Sequence, residues 1–214
     1  MNYFIANSQE VEARIKKFYR RDATVIYPPV SLPLTPTLFP REREKGRGYY
    51  FMVARLVGSK GLDMAVEAAH KTGIKLKIAG ISGGYSSVYK TLSKKAQENV
   101  EFLGYVSDSE LVSLYTNAKG FLALSTDEDF GITPVESMLC GTPVIAYWGG
   151  GYKETVIEGK TGLFFKEATV DSLVETIKKF EKIKFSSDTC KKQAEKFSKE
   201  KFIKEIQEFV EKYG

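Results

Sequence analysis

From Tyr49 onward, short runs of apolar, β-branched and aromatic residues alternate with stretches whose apolar positions recur at helical spacing. Few folds accept that pattern. Strands are expected over 50–54, 75–80, 100–103, 121–124, 144–146 and 163–165. Helices are expected between them. Leu62, Ala65, Val66 and Ala69 line one face of 61–72, and Leu111, Leu114 and Tyr115 turn inward from 108–117. Val170, Leu173, Val174, Ile177 and Phe180 define an amphipathic helix. A polar helix runs from the Gly83-Gly84 loop to Glu98. A Lys/Glu-rich helix carrying Phe197, Phe202, Ile206 and Phe209 ends the chain. Such repetition means βα units around a parallel sheet: an α/β, doubly wound, Rossmann-like fold.

The regular part is preceded by something smaller. Residues 1–30 read as one strand-helix-strand unit, with Val11, Arg14, Ile15 and Phe18 at helical spacing and a second strand over 24–27. Residues 31–48 read as a linker, stiffened by Pro33, Pro36 and Pro40 and carrying the charged run 41–45. Residues 49–214 form the main domain, for which 43% hydrophobic composition supplies core enough.

Several function classes are set aside by composition. No apolar run reaches membrane-spanning length and no signal-peptide pattern opens the chain, so a cytoplasmic location is expected, with peripheral membrane association as a variant. The net charge is +5, but Lys and Glu interleave, as in 178–182, which argues for a solvated surface and against nucleic acid as a partner. Cys140 and Cys190 lack metal-ligand spacing, and Cys140 is expected only to pack. His70, within an expected helix, is read as structural.

Residues 125–146 carry the strongest local signals. An acidic loop, Asp127-Glu128-Asp129, leads into Phe130-Gly131-Ile132 and then a short helix. Thr133 looks like its N-cap, Pro134 its first residue, and Glu136 the third position of a capping box. Gly141 closes the helix and Pro143 prevents its continuation. The amides around residues 131–135 would then face outward as an anion site, with Glu128 just upstream. The pairing suits a ligand that has both phosphate and hydroxyl groups, such as a sugar nucleotide. Asp127-Glu128-Asp129 also mimics a metal motif, but an acidic triplet alone carries little.

In open parallel sheets ligands bind beyond the carboxyl ends of the strands, which selects the loops 55–61, 80–85, 104–108 and 127–133. Arg55 and Lys60 lie on the first of these, and a planar guanidinium with a mobile ammonium suits a diphosphate. No dinucleotide-binding glycine fingerprint follows the first strand. Glu136 keeps two readings, helix cap or ligand contact; Glu128 has no capping role to explain it.

Four motifs taken together resemble the donor-binding half of retaining GT-B glycosyltransferases of family 4, the "group 1" class. They are Arg55-Leu56 with Lys60-Gly61; Phe102-Leu103-Gly104-Tyr105-Val106-Ser107-Asp108 with Glu110-Leu111; Glu128 and Glu136 eight positions apart; and 140–146 with Gly150, Gly151 and Glu154. The resemblance covers residues 49–210. It implies that Arg55 and Lys60 hold the diphosphate of a nucleotide-sugar donor and that Glu128 hydrogen-bonds the sugar. Amides near Phe130, Gly131 and Ile132 would meet sugar and phosphate, and Glu136 would take the ribose. Gly104, Tyr105 and Val106 would touch the base. No metal and no other cofactor is implied. The residue 127–131 loop is similar to mannosyltransferase relatives, which points to GDP-mannose. The acceptor would be a glycan or a lipid-linked sugar.

Residues 1–30 resemble the end of that family's N-terminal acceptor domain. A second reading is therefore a nucleotide-sugar-binding half that works only with a separate acceptor-domain chain or as a homo-oligomer. Glycogen-synthase-like polymer extension is disfavoured, since nothing marks a glucan-binding surface.

Overall fold

The computed structural model describes residues 3–32, 48–54, 60–80, 92 and 98–214. Arg55, most of the linker, the Gly83-Gly84 loop and most of the polar helix expected after it lie outside the described residues.

The apolar runs form the strands β3 (Tyr49–Val53), β4 (Leu76–Ala79), β5 (Val100–Gly104), β6 (Ala118–Ala123), β7 (Val144–Tyr147) and β8 (Gly162–Phe165). They make a six-stranded sheet in the order β5-β4-β3-β6-β7-β8, with every described pairing parallel. Counting from β3, the spatial order is 3-2-1-4-5-6, the Rossmann arrangement. Its reversal falls between β3 and β6, where Tyr50 pairs with Gly120 and Phe51 with Phe121.

Strand alternation feeds two cores, one on each face. Tyr50, Met52, Leu76, Ile78, Leu122 and Ile145 pack under α2 (Leu62–Thr72) and α6 (Val170–Phe180). On the other face Phe51, Phe121 and Val144 meet α3 (Asp108–Asn117), α4 (Ile132–Leu139) and α7 (Ser187–Ala194). There Phe51 and Tyr115 stack edge to face at 5.2 Å and Tyr115 meets Phe121 at 5.4 Å. Such ring pairs contribute about 0.5–1.5 kcal/mol each beyond their buried area.

The helix faces differ in one detail from expectation. On α3 the fully buried residues are Val112, Tyr115 and Thr116, while Leu111 and Leu114 sit at the half-buried margin. Cys140 and Cys190 are buried and form no disulfide; burial pushes the Cys140 thiol up to about 12, so it stays protonated among its packed neighbours. No helix among the described residues is long and apolar enough to cross a membrane.

Ahead of the sheet, β1 (Ile5–Ala6), α1 (Gln9–Tyr19) and β2 (Thr24–Val25) form the expected strand-helix-strand unit, a two-stranded parallel sheet with one helix. It is docked on the main domain through Tyr27, whose ring lies 5.7 Å from Phe130 and 5.3 Å from Phe197. The chain's end is not one helix. After α5 (Tyr152–Thr155) and the elements already named, α7 runs into a 3₁₀ turn, Glu195–Phe197, and Ser198 caps a new helix, α8 (Lys199–Tyr213). Phe197 thus belongs to the turn, buried against Tyr27 and Phe130. Tyr213, at the end of α8, reaches Tyr3 at 4.2 Å between ring centres.

Candidate functional site

At the β3/β6 reversal, beyond the carboxyl ends of the strands, lies a cavity of about 390 Å³. Its floor comes from the ends of β3 (Met52, Val53) and β6 (Leu122, Ala123), and its walls from Lys60, Gly80, Glu128, Ile132, Thr133 and Tyr152. The walls bring together three of the residues expected from sequence, Lys60, Glu128 and Ile132. Lys60 Nζ lies 2.9 Å from Glu128 Oε2, and both side chains are about three-quarters buried, at 23% and 25% exposure. The Tyr152 hydroxyl reaches the same Glu128 oxygen at 3.5 Å. Burial, reinforced by Glu128, raises the Tyr152 hydroxyl well above its ordinary value, so it stays a donor.

The acidic loop is set by its backbone. Glu128 O accepts the Gly151 N–H at 2.9 Å, and Ser125 Oγ donates to Asp127 O at 3.1 Å. A Cβ on Gly150 would stand 2.1 Å from Glu128 O, so the glycine loop 149–151 is what lets the two segments touch. Asp127 and Asp129 turn away from the cavity to Arg14 of α1, at 2.5 and 2.9 Å. Among the described residues no three His, Cys, Asp or Glu side chains cluster as a metal site.

Helix α4 begins earlier than its sequence suggests, and this corrects the capping reading. Gly131, not Thr133, is the N-cap, left-handed at φ 89, and the helix starts at Ile132. Thr133 and Pro134 are already helical, and proline is tolerated because first-turn amides lack intrahelical partners. Gly131 can take that left-handed turn because it has no Cβ, and one there would stand 2.7 Å from the Tyr152 ring. No side chain caps this helix. The capping box is at Ser107 and Glu110 on α3 instead, where the Ser107 N–H donates to Glu110 Oε2 at 2.9 Å. The C-terminal expectation holds: Gly141 N donates to Met138 O and Thr142 N to Ser137 O, a Schellman closure.

Glu136 therefore has no capping role. Its carboxylate accepts the buried Tyr115 hydroxyl at 2.8 Å. Burial raises its pKa above the ordinary carboxylate value, opposed by the Tyr115 bond and aided by Asp108. A raised folded pKa means that stability is full below the unfolded value, near 4.5, and falls as pH rises through the folded one. Glu136→Gln removes the buried charge and leaves an amide oxygen for Tyr115. It is expected to raise the thermal midpoint at pH 7 by about 2–4 °C, the equivalent of ~1 kcal/mol in a domain this size. The gain should vanish near pH 4; an equal gain at both pH values, followed by circular dichroism melts, overturns the burial argument.

The other expected residues are placed unevenly. Ile132 is exposed at the cavity wall, whereas the Phe130 ring is buried against Tyr27 and Phe197, leaving only its backbone toward the loop. Gly104 ends β5 and Tyr105 and Val106 follow it, all outside the cavity wall, joined to it through Gly80 N donating to Gly104 O at 2.8 Å. Tyr105 is 78% exposed. Thr133, within the expected ligand loop, lines the cavity, and so does Tyr152, which no sequence signal placed there. Glu154, quoted only as part of a motif, accepts the Gln9 and Glu10 amides at 2.8 and 3.2 Å and the Tyr27 hydroxyl at 3.0 Å.

Solved structures share this architecture over nearly the whole chain. Sucrose-phosphate synthase of Thermosynechococcus elongatus matches with a TM-score of 0.82 at 21% identity, covering 97% of this chain and 57% of that one. Anabaena Alr3699/HepE, solved with UDP-glucose, gives 0.83 at 23% identity over 98% of this chain and 64% of its own. The fold is the Rossmann-like domain of GT-B glycosyltransferases. The glycosyl transferases group 1 family matches residues 36–197, and the chain belongs to that family. An uncharacterized glycosyltransferase of Methanocaldococcus jannaschii is 26% identical over 211 residues, covering 97% of this chain and 58% of the relative. Human α-1,3/1,6-mannosyltransferase ALG2 is 27% identical over 241 residues with the same coverages, 97% and 58%. The chain thus spans 58% of the length of these relatives.

Proposed function

We propose that this chain supplies the donor-binding half of a retaining hexosyltransferase of family 4, acting on a nucleotide diphosphate sugar. One observation carries the reading: Lys60, Glu128 and the uncapped start of α4 converge on one cavity at the sheet's reversal. An ammonium and free helix amides suit a diphosphate, and a carboxylate beside them suits sugar hydroxyls. Arg55, from the resemblance, would add the second cation. Glu136, released from any capping role, would accept ribose hydroxyls, and the loop of Gly104, Tyr105 and Val106 would meet the base.

In the reaction, the charge gathering on the departing nucleoside diphosphate is met by these cations and amides, so neither a metal nor another cofactor is called for. The diphosphate leaves from the face that the acceptor hydroxyl approaches and takes that hydroxyl's proton, so no protein base is required. A mannosyl donor such as GDP-mannose is favoured by human ALG2, and by a GDP-mannose-dependent mannosyltransferase of Corynebacterium glutamicum, 33% identical over 58% of this chain. The acceptor would be a glycan or lipid-linked sugar, met in the cytoplasm or at a membrane surface.

A second reading, a donor-binding half silent without an acceptor-domain chain or a second copy, is favoured by α1. That helix buries none of its residues and turns Phe18 and Tyr19 outward at 69% and 68% exposure. Calorimetric titration with GDP-mannose, UDP-glucose and ADP-glucose tests the shared core of both readings. Binding of one of the three with a micromolar-range Kd is expected, and silence toward all three would sink it. Steady sugar transfer by the chain alone would remove the second reading.

A further inference from the structure

Arg14 lies on α1, in the strand-helix-strand unit, yet it grips the loop that carries Glu128. Its Nη2 meets Asp127 Oδ1 at 2.5 Å and its Nη1 meets Asp129 Oδ1 at 2.9 Å, with Glu10 Oε1 3.5 Å from Nε. The two aspartates flank Glu128, whose own carboxylate faces the other way, onto Lys60 and Tyr152. The helix that brings Arg14 is itself fixed, since Glu154 accepts the amides of its first two residues.

We infer that Arg14 is a positioning residue that sets the Glu128 carboxylate for the donor's sugar, an assignment resting on the nucleotide-sugar reading of the cavity. The argument is geometric. The pairs with Asp127 and Asp129 are exposed, at 76% and 57% on the aspartate side, and such pairs add little to stability. A guanidinium is a rigid planar fork, however, and one held by two carboxylates fixes the spacing between them. Spacing Asp127 from Asp129 fixes the backbone turn at Glu128, whose carbonyl is already held by Gly151. Without the fork, three successive carboxylates repel one another, and Glu128 loses the orientation that sugar hydroxyls require. The diphosphate end of the cavity, at Lys60 and α4, needs no such brace. The strand-helix-strand unit therefore helps to tell a nucleotide sugar from a bare nucleotide without touching either.

The test compares affinities for UDP-glucose against UDP and for GDP-mannose against GDP, by calorimetry on the intact chain. The variants are Arg14→Ala, Arg14→Lys and the double substitution Asp127→Asn/Asp129→Asn. In Arg14→Ala the preference for the sugar-bearing ligand should fall roughly tenfold, as expected when a charge-assisted contact is misplaced, while bare-nucleotide affinity stays within about twofold. The double substitution removes the ion pairs and the repulsion together and should reproduce only part of this fall, and Arg14→Lys, unable to span both aspartates, should rescue little. Thermal midpoints should move by no more than about 2 °C, as exposed pairs predict. An unchanged preference in Arg14→Ala overturns the inference, and so does an equal loss of both ligands with a lowered midpoint. A wild type that binds the bare nucleotides with no preference for their sugars removes Glu128's role, and this inference with it, while leaving the diphosphate assignment standing. A wild type that binds none of the four ligands overturns the donor reading as well.

Discussion

Lys60→Ala is expected to weaken nucleotide-sugar binding by about 1.5–3 kcal/mol, the worth of a hydrogen bond to a charged group in a partly buried site. The direct loss is only part of the effect. In the free protein Lys60 is paired with Glu128 at 2.9 Å, so its removal also leaves a carboxylate facing the phosphates. Double-mutant logic separates the two contributions. Lys60→Ala/Glu128→Gln should regain part of the affinity for the bare nucleoside diphosphate, because the repulsion is gone. It should not regain affinity for the sugar-bearing donor, because the sugar's carboxylate partner is gone too. If Lys60→Ala binds UDP and GDP as the parent does, the ammonium does not hold the diphosphate and the site must be redrawn.

Gly150→Ala is expected to act on fold and site together. At φ 53 the residue is left-handed, which costs a side chain about 1–2 kcal/mol, and its Cβ would stand 2.1 Å from a backbone oxygen that cannot swing aside. Overpacking of that kind adds about 1–3 kcal/mol, so a fall in thermal midpoint of roughly 5–15 °C is expected. Gly159→Ala is the control, left-handed at φ 72 with nothing within 4 Å of its Cβ, and should show the backbone part alone. The oxygen displaced at Gly150 belongs to Glu128, so donor affinity should also fall in the folded fraction. A Gly150→Ala protein that melts like Gly159→Ala would mean that the two loops do not touch as described.

The fold was legible because the alternation of strand and helix patterns is a global property that each segment repeats. Lys60 and Glu128 were legible for a related reason: both lie just past carboxyl ends of strands, where topology alone gathers residues distant in sequence. Sequence and structure part where two local signals compete. Ser107-x-x-Glu110 and Thr133-x-x-Glu136 carry the same capping pattern, and nothing within either tetrad says which is used. At α4 the left-handed turn at Gly131 starts the helix two residues ahead of the cap pattern. In the sequence Arg14 is only one point of a helical face, because its partners stand 113 and 115 positions away. Apolar spacing continues through the 3₁₀ turn and makes Phe197 look like part of the last helix. Arg55 lies outside the described residues, so its place beside Lys60 rests on the resemblance.

The adjacency of β3 and β6 has a kinetic side. Tyr50 finds Gly120 only after α2, β4, β5 and α3 have been laid down between them, so the seam at the centre of the sheet closes by one of the least local pairings. Closing so long a loop is entropically unfavourable until the flanking contacts form, and pairings of this kind slow folding. The cavity straddles that seam, with one lip from each half, and neither half contains it alone. Ligand occupancy and completion of folding are therefore linked, since whatever binds in the cavity favours the closed seam by mass action.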